Sequence, residues 1–165
     1  MACKQNEVSH LQSYNHTFNG TNLIMNPIAR NILAAIVGFV IGSVVNLGLV
    51  TIGMSVVPLP EGTDVSTMEA LRESMKLLTP VNFIFPFLAH ALGTLTGAFV
   101  AAKLAASHHM KFAIGIGVSF LIGGIAMVFN CGGPVWYIAS DLLLAYIPMA
   151  FLGGFFAGGK RSQTA

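Results

Sequence analysis

Charged residues are scarce in this chain. Asp, Glu, Lys and Arg make up only 8% of its 165 residues, whereas a typical soluble domain has about 25%. So few charges cannot cover a water-facing surface, but in lipid apolar side chains face outward at no cost. Hydrophobic residues make up 55% of the chain. The composition therefore excludes an ordinary soluble domain and predicts an integral membrane protein in a lipid bilayer.

Several kinds of functional site are also missing from the sequence. The two cysteines, Cys3 and Cys131, are too few for a disulfide framework or a CxxC zinc site. The basic residues are scattered, so the net charge of +2 indicates no nucleic-acid partner. The sequence contains no HExxH motif, no paired carboxylates, no nucleophile beside a base and no phosphate-binding loop. We therefore expect no enzyme activity, no cofactor and no metal.

Four long apolar segments lie along the chain. They cover residues 31–57, 81–104, 112–129 and 135–159. Each approaches or exceeds the length of about 20 apolar residues that crosses a bilayer. A short turn after the third segment makes the last two antiparallel neighbours. Residues 25–165 are therefore predicted to form an all-α membrane protein, a four-transmembrane-helix antiparallel bundle.

The loop between the first two segments has the pattern of a short amphipathic helix. Ser66 and Glu69 are spaced as in a capping box. Apolar and charged residues then alternate at helical spacing, with Met68, Leu71, Met75 and Leu78 on one face and Glu69, Arg72, Glu73 and Lys76 on the other. We expect this helix to lie flat on the membrane or over the bundle. A solvated connector is the alternative.

The first 24 residues differ from the rest of the chain. Residues 1–24 are polar and show no helical or strand period, which predicts a disordered tail. They do not resemble a signal peptide, because the first apolar run starts only after Arg30. Met25 precedes the first segment closely, and the sequence does not decide between translation starts at Met1 and Met25.

Basic residues predict the orientation of the chain. Short loops that carry Lys and Arg tend to remain in the cytoplasm. Six basic residues fall on the side of the termini, namely Lys4, Arg30, Lys103, Lys111, Lys160 and Arg161. The other side has only Arg72 and Lys76. We therefore predict a bacterial inner membrane protein with both termini in the cytoplasm.

Small residues recur at four-residue spacing in every segment. Helix association in lipid depends on close backbone approach, which small residues permit. The predicted helix-packing residues are Gly38, Gly42, Gly93, Gly97, Gly154 and Gly158. The third segment has a similar stripe of Gly115, Ser119 and Gly123. These faces predict contacts within the chain, with a homo-oligomer or a membrane-protein partner as the alternative.

Three polar residues inside the segments form the candidate site. Asn46, His90 and Asp141 lie at similar depth when counted from the outer ends of their helices. Asp141 is the only acid in any segment, and no Lys or Arg lies in the membrane to pair with it, so His90 is its natural partner. Such a pair holds one shared proton and suits a proton relay. Simple hydrogen bonding between helices is the alternative, as is an Asp141 that reaches headgroup water.

The sequence leaves the specific activity open. Its sparse chemistry favours a small structural or accessory membrane protein. The alternative is a small transporter or channel-like protein with an Asp–His polar site in the outer half of the membrane. Pro148 adds to the second hypothesis, because it removes a backbone hydrogen bond to Leu144 and predicts a kink close to Asp141.

Overall fold

The computed structural model describes residues 25–158. Within this range it contains only helices, which we number α1 (Pro27–Val56), α2 (Met68–Ser74), α3 (Ile84–Leu104), α4 (His109–Cys131), α5 (Val135–Leu144) and α6 (Ile147–Phe156). A 3-10 turn, Pro80–Phe83, leads directly into α3. The predicted disordered tail, residues 1–24, lies outside the described residues. An all-helical protein is confirmed for the described part.

Four helical segments are long and apolar enough to cross a membrane, as predicted. They are Pro27–Val56, Pro80–Leu104, His109–Cys131 and Val135–Phe156. The first begins at Pro27 rather than at residue 31, because Asn26 caps it. The Asn26 side chain accepts a hydrogen bond of 3.0 Å from the backbone N–H of Ile28, and proline suits the first helical position.

The short helix α2 begins differently from its prediction. Its N-cap is Thr67, whose hydroxyl accepts a hydrogen bond of 3.1 Å from the backbone N–H of Ala70. Ser66 was predicted to be the cap, and this was wrong. The backbone N–H of Ser66 instead donates to Asp64 Oδ1 at 2.8 Å. This turn holds Ser66 before the helix, so the next hydroxyl residue caps it.

Helix α3 is the central helix of the fold. It packs against α1, α4 and α6. Of the most apolar 18 residues in the span Pro80–Leu104, 39% are buried, compared with 17% to 22% in the other three spans. The start of α1 lies beside the end of α3, where Arg30 Nε donates to the carbonyl oxygen of Leu104 at 2.9 Å. We call this the terminal end. At the opposite end of the fold, which we call the loop end, Asn82 Nδ2 donates to the carbonyl oxygen of Pro58 at 3.2 Å.

Two pairs of glycines join α1 to α3. A Cβ built at Gly42 would lie 2.7 Å from the carbonyl oxygen of Gly93, and one built at Gly97 would lie 2.8 Å from the carbonyl oxygen of Gly38. Both distances are too short for a real side chain, so the two backbones are in direct contact. Close approach of this kind supplies dispersion contacts and weak Cα–H···O hydrogen bonds in lipid.

Two glycines of α6 also pack closely against neighbouring helices, whereas Gly158, which follows the helix, does not. A Cβ at Gly153 would lie 2.5 Å from the carbonyl oxygen of Leu95, and one at Gly154 would lie 2.7 Å from Ala113 Cβ. Gly158, also a predicted helix-packing residue, has no such contact among the described residues. It follows the end of α6 with φ of +96°, and a Cβ there would meet none of the described residues within 4 Å. Glycine ends helices in this left-handed conformation.

Helix α4 packs through a different face from the predicted stripe. A Cβ at Gly115 or Gly123 would meet none of the described residues within 4 Å, and Ser119 is exposed. The buried small residues of α4 are instead Ala113, Gly117 and Gly124. Gly115 and Ser119 instead line an open groove together with Ile36 and Phe39 of α1.

The fourth span is interrupted at Ala145 and Tyr146. Helix α5 ends at Leu144 and α6 begins at Ile147. Pro148, in the first turn of α6, has no N–H to donate to Leu144. The kink predicted at this proline is confirmed as a break between two helices.

Candidate functional site

His90 and Asp141 are in contact inside the helix assembly. His90 Nδ1 lies 2.8 Å from Asp141 Oδ1 and 3.0 Å from Oδ2. Helix α3 supplies the histidine and α5 supplies the aspartate. The Asp141 side chain is only 5% exposed, and that of His90 is 22% exposed. The two residues that the sequence paired therefore meet across the α3–α5 contact.

Tyr146 is a third member of this group that the sequence did not reveal. Its hydroxyl donates a hydrogen bond of 3.0 Å to Asp141 Oδ2, and its ring stacks on that of His90 with centroids 5.6 Å apart. The residue is 1% exposed. A buried tyrosine hydroxyl usually has a partner, so a tyrosine within an apolar span was the available signal.

The break in the fourth span helps to place Tyr146 beside Asp141. In a regular helix, a residue five positions further on lies about 140° around the axis. The backbone of Tyr146 departs from this geometry, with φ of −112° and ψ of −79°. Pro148 therefore contributes to the site by interrupting the helix.

Asn46 does not join this group. It lies on the α1–α3 contact, where a Cβ built at Gly93 would be 3.0 Å from Asn46 Cβ. Within the described part of the chain, no hydrogen bond links Asn46 to His90 or Asp141. The structure thus brings together two of the three predicted residues, and Tyr146 joins them.

The hydrogen bonds link the three side chains through Asp141. Nδ1 of His90 lies within hydrogen-bond distance of both carboxyl oxygens, and the Tyr146 hydroxyl donates to Oδ2. When Nδ1 carries the hydrogen, Asp141 accepts from both partners as a carboxylate. A carboxylate in a low-dielectric interior is costly unless a positive charge balances it. His90 supplies that charge when its second ring nitrogen, Nε2, is also protonated.

A cavity of about 370 Å³ reaches the pair from the loop end. This volume lies within the range of about 300–1,000 Å³ that is usual for small-molecule sites. The polar side chains in its wall include His90, Asp141, Tyr137 and Asn82. Most of the remaining wall is apolar and includes Val50, Met54, Phe83, Phe85 and Met127. The cavity is therefore a largely apolar chamber with a few polar side chains, among them the part-buried His90–Asp141 pair.

The segment that contains α2 separates the cavity from the loop-end surface. Leu71, Met75 and Leu78 line the cavity. Charged residues of the same segment, Glu69, Arg72, Glu73 and Lys76, line a neighbouring surface groove of about 770 Å³. Met75 and Leu78 contribute to both walls, so they form part of the partition between groove and cavity.

Close packing fills the region between the pair and the terminal end. A Cβ at Gly117 would lie 2.5 Å from Ala150 Cβ. Six small or branched residues form a buried cluster here, namely Ala98, Ala101, Ala102, Ala113, Ile116 and Ala150. One turn further along α3 than His90, Thr94 is completely buried, and its hydroxyl has no hydrogen-bond partner in residues 25–158. The site is therefore approached from the loop end.

Comparison with protein-family models, with curated proteins and with solved structures gives no match to this chain. Among the described residues, no group of three His, Cys, Asp or Glu side chains could hold a metal ion. The function must therefore be inferred from the His90–Asp141–Tyr146 group and the cavity beside it.

Proposed function

We propose that this integral membrane protein binds a small, mainly apolar molecule that carries one polar group. The observation that supports this is the part-buried His90–Asp141 pair at the wall of a cavity of about 370 Å³. Polar groups in hydrocarbon are expensive and usually mark functional sites. The apolar wall would hold the body of the ligand, and His90 would bind its polar group through Nε2.

The contacts of the glycine faces favour a binding function over a purely structural role. The structural or accessory protein that the sequence favoured would use its glycine faces for partners. Several of these glycines, including Gly42, Gly93 and Gly154, contact other helices of the same chain and are not available to a partner. A homo-oligomer or a membrane-protein partner stays a prediction, which native mass spectrometry from detergent would check by the mass of the particle.

We also propose the membrane setting of the site. The four spans would form an antiparallel bundle in a bacterial inner membrane, with the terminal end in the cytoplasm. Arg30, Lys103 and Lys111 all lie at or near this end, which agrees with the positive-inside rule. The loop end and its cavity would then face the periplasm, with α2 over the cavity.

Fusion reporters test this orientation. We expect green fluorescent protein to fluoresce when it is fused to the C-terminus. Alkaline phosphatase should be active when it is inserted at Gly62, in the loop before α2. An active phosphatase at the C-terminus together with an inactive one at Gly62 would overturn the orientation.

Ligand binding can be followed through the single tryptophan of the chain, Trp136. Its ring packs against that of Phe83 with centroids 5.6 Å apart, and Phe83 lines the cavity. With 2-phenylethanol and its amine and acid analogues as probes, we expect a saturable change in fluorescence from at least one. No saturable change with any of the three would contradict the proposed function.

A cavity-filling variant shows whether the probe occupies this chamber. Val50 lines the cavity, so Val50→Phe should weaken binding by about tenfold or more, since overfilling a packed site typically costs about 1–3 kcal/mol. Val44 lies on the same helix and is 65% exposed. The matched variant Val44→Phe should leave binding unchanged. Equal effects of the two variants would place the probe elsewhere.

A further inference from the structure

We infer that the ligand of this cavity is a lipophilic cation, which competes with a proton for the His90–Asp141 pair. This inference rests on the proposed function and specifies the chemical class of the ligand. It is supported by three features of the described residues: the charge of the pair, the aromatic residues in the cavity wall and the acidic loop at the entrance.

The pair carries a negative charge that the protein does not balance permanently. His90 is the basic residue paired with Asp141, and in residues 25–158 no Lys or Arg lies within salt-bridge distance of it. When His90 is neutral, the site has one net negative charge. In a low-dielectric interior such a charge is strongly unfavourable. Either a proton on Nε2 or a bound cation removes it.

Aromatic residues in the cavity wall favour a cationic ligand. Phe83, Phe85 and Tyr137 line it, and the rings of Phe83 and Tyr137 are in contact with centroids 4.6 Å apart. The face of an aromatic ring attracts an ammonium group, most strongly where water is excluded. An anion would be repelled both by these faces and by Asp141.

The approach at the loop end is acidic. Residues 57–80 contain four carboxylates, Glu61, Asp64, Glu69 and Glu73, against two basic residues, Arg72 and Lys76. Four against two leaves an excess of two negative charges. Hydrogen bonds from the side chain and backbone of Ser66 lower the pKa of the Asp64 carboxyl, so it stays ionised. A field of this sign raises the local concentration of cations.

Binding of an ammonium then releases one proton. In the proposed exchange, the empty site holds a proton on both ring nitrogens of His90, so that the imidazolium and the carboxylate cancel. The arriving ammonium donates an N–H to Nε2, and the proton previously held there leaves to solvent. The occupied site contains an ammonium, a neutral imidazole and a carboxylate, so its net charge stays zero. The hydrogen bond from Nδ1 to Asp141 is kept throughout.

The other titratable groups around the cavity do not replace this pair. Tyr137 comes from α5, Tyr146 from the break in the fourth span and Cys131 from the end of α4. Phenols and thiols are neutral when protonated, whereas histidine is the side chain that changes charge near neutral pH. The lining residues that α1 contributes to the cavity include no titratable group.

Three probes of similar size separate the charge requirement from simple burial of a ring. They are 2-phenylethylamine, 2-phenylethanol and phenylacetate, each titrated against the detergent-purified protein with Trp136 fluorescence as the signal. A primary amine has a pKa of about 10 and stays cationic near neutral pH. We expect the amine to bind about tenfold or more tightly than the alcohol, and the acid to bind most weakly.

Proton competition has two direct signatures. Affinity for the amine should rise as pH rises, by up to about tenfold per pH unit for a one-proton exchange. Affinity for the alcohol should not rise in this way. In a weakly buffered solution with a pH-indicator dye, binding of the amine should release about one proton per protein.

Matched variants assign these signatures to the pair. Asp141→Asn should abolish the preference for the amine over the alcohol, and His90→Gln should abolish proton release. His109→Gln makes the same chemical change as His90→Gln at a position outside the cavity lining and should retain both properties. If Asp141→Asn does not fold, the pH dependence and proton release of the unaltered protein still decide the question.

The outcomes distinguish the two proposals. Equal binding of amine and alcohol, without proton release, would overturn the cation inference and leave the proposed binding function intact. Saturable binding by none of the probes would overturn both. Preferential binding of the amine with release of one proton, lost in His90→Gln alone of the two histidine variants, is the result we expect.

Discussion

Two glycines on the same helix offer a sharp test of the α1–α3 contact. Gly42 and Gly48 both lie within α1. A Cβ at Gly42 would be 2.7 Å from the carbonyl oxygen of Gly93 and 3.0 Å from the ring of Phe120. A Cβ at Gly48 would meet none of the described residues within 4 Å. The variants Gly42→Ala and Gly48→Ala therefore add the same methyl group to a packed and to an open position.

The magnitude follows from two opposing terms. Alanine is more favourable than glycine inside a helix by about 1 kcal/mol, and this gain applies to both variants. Only Gly42→Ala must also push against Gly93. That contact is backbone and cannot rotate away, so the helices must separate, at a typical overpacking cost of about 1–3 kcal/mol. Because the helix gain cancels in the comparison, Gly42→Ala should be less stable than Gly48→Ala by about 1–3 kcal/mol.

Thermal unfolding in detergent, followed by far-UV circular dichroism, measures this difference. For a chain of this size, about 1 kcal/mol corresponds to a shift of about 2–4 °C in Tm. We therefore expect Gly42→Ala to melt about 2–12 °C below Gly48→Ala. Equal melting temperatures, or a lower one for Gly48→Ala, would refute the close α1–α3 contact.

Two further predictions concern the site and the terminal end. A Cβ at Gly124 would collide with the Tyr146 hydroxyl, whereas one at Gly123 would meet none of the described residues within 4 Å. Gly124→Ala should therefore displace Tyr146 and lower Tm, and Gly123→Ala should not; equal losses from both variants would count against the placement of Tyr146. The Asn31 side chain accepts a hydrogen bond of 2.7 Å from the backbone N–H of Ala106. Asn31→Ala should lose about 1 kcal/mol, measured by the same melting assay, and an unchanged Tm would contradict this bond.

The positions of the spans could be predicted because they depend on local properties. Length, hydropathy and a proline are sufficient to find apolar helices and to predict the break near Pro148. Helix ends were less accurate. The cap of α2 is Thr67 rather than Ser66, since the choice between two neighbouring hydroxyl residues depends on the turn that Asp64 makes before them.

The faces of the helices could be predicted only in part. Small residues at four-residue spacing identified Gly42 and Gly93 as packing positions, and both lie in the α1–α3 contact. The same rule pointed to Gly115 and Gly123 of α4, where an added Cβ would meet none of the described residues within 4 Å. The spacing of small residues shows that a face can be approached closely, but it does not show which helix, if any, approaches it.

The sequence by itself determined that this chain is apolar, helical and long enough to cross a membrane four times, and that Asp141 needs a basic partner. Only the tertiary structure decided that His90 reaches Asp141, that Asn46 does not, and that Tyr146 and a cavity complete the site. The physical reason is that depth follows from counting residues along a helix. Which side chains meet depends on the rotation of each helix about its axis, and packing against the neighbouring helices sets that rotation.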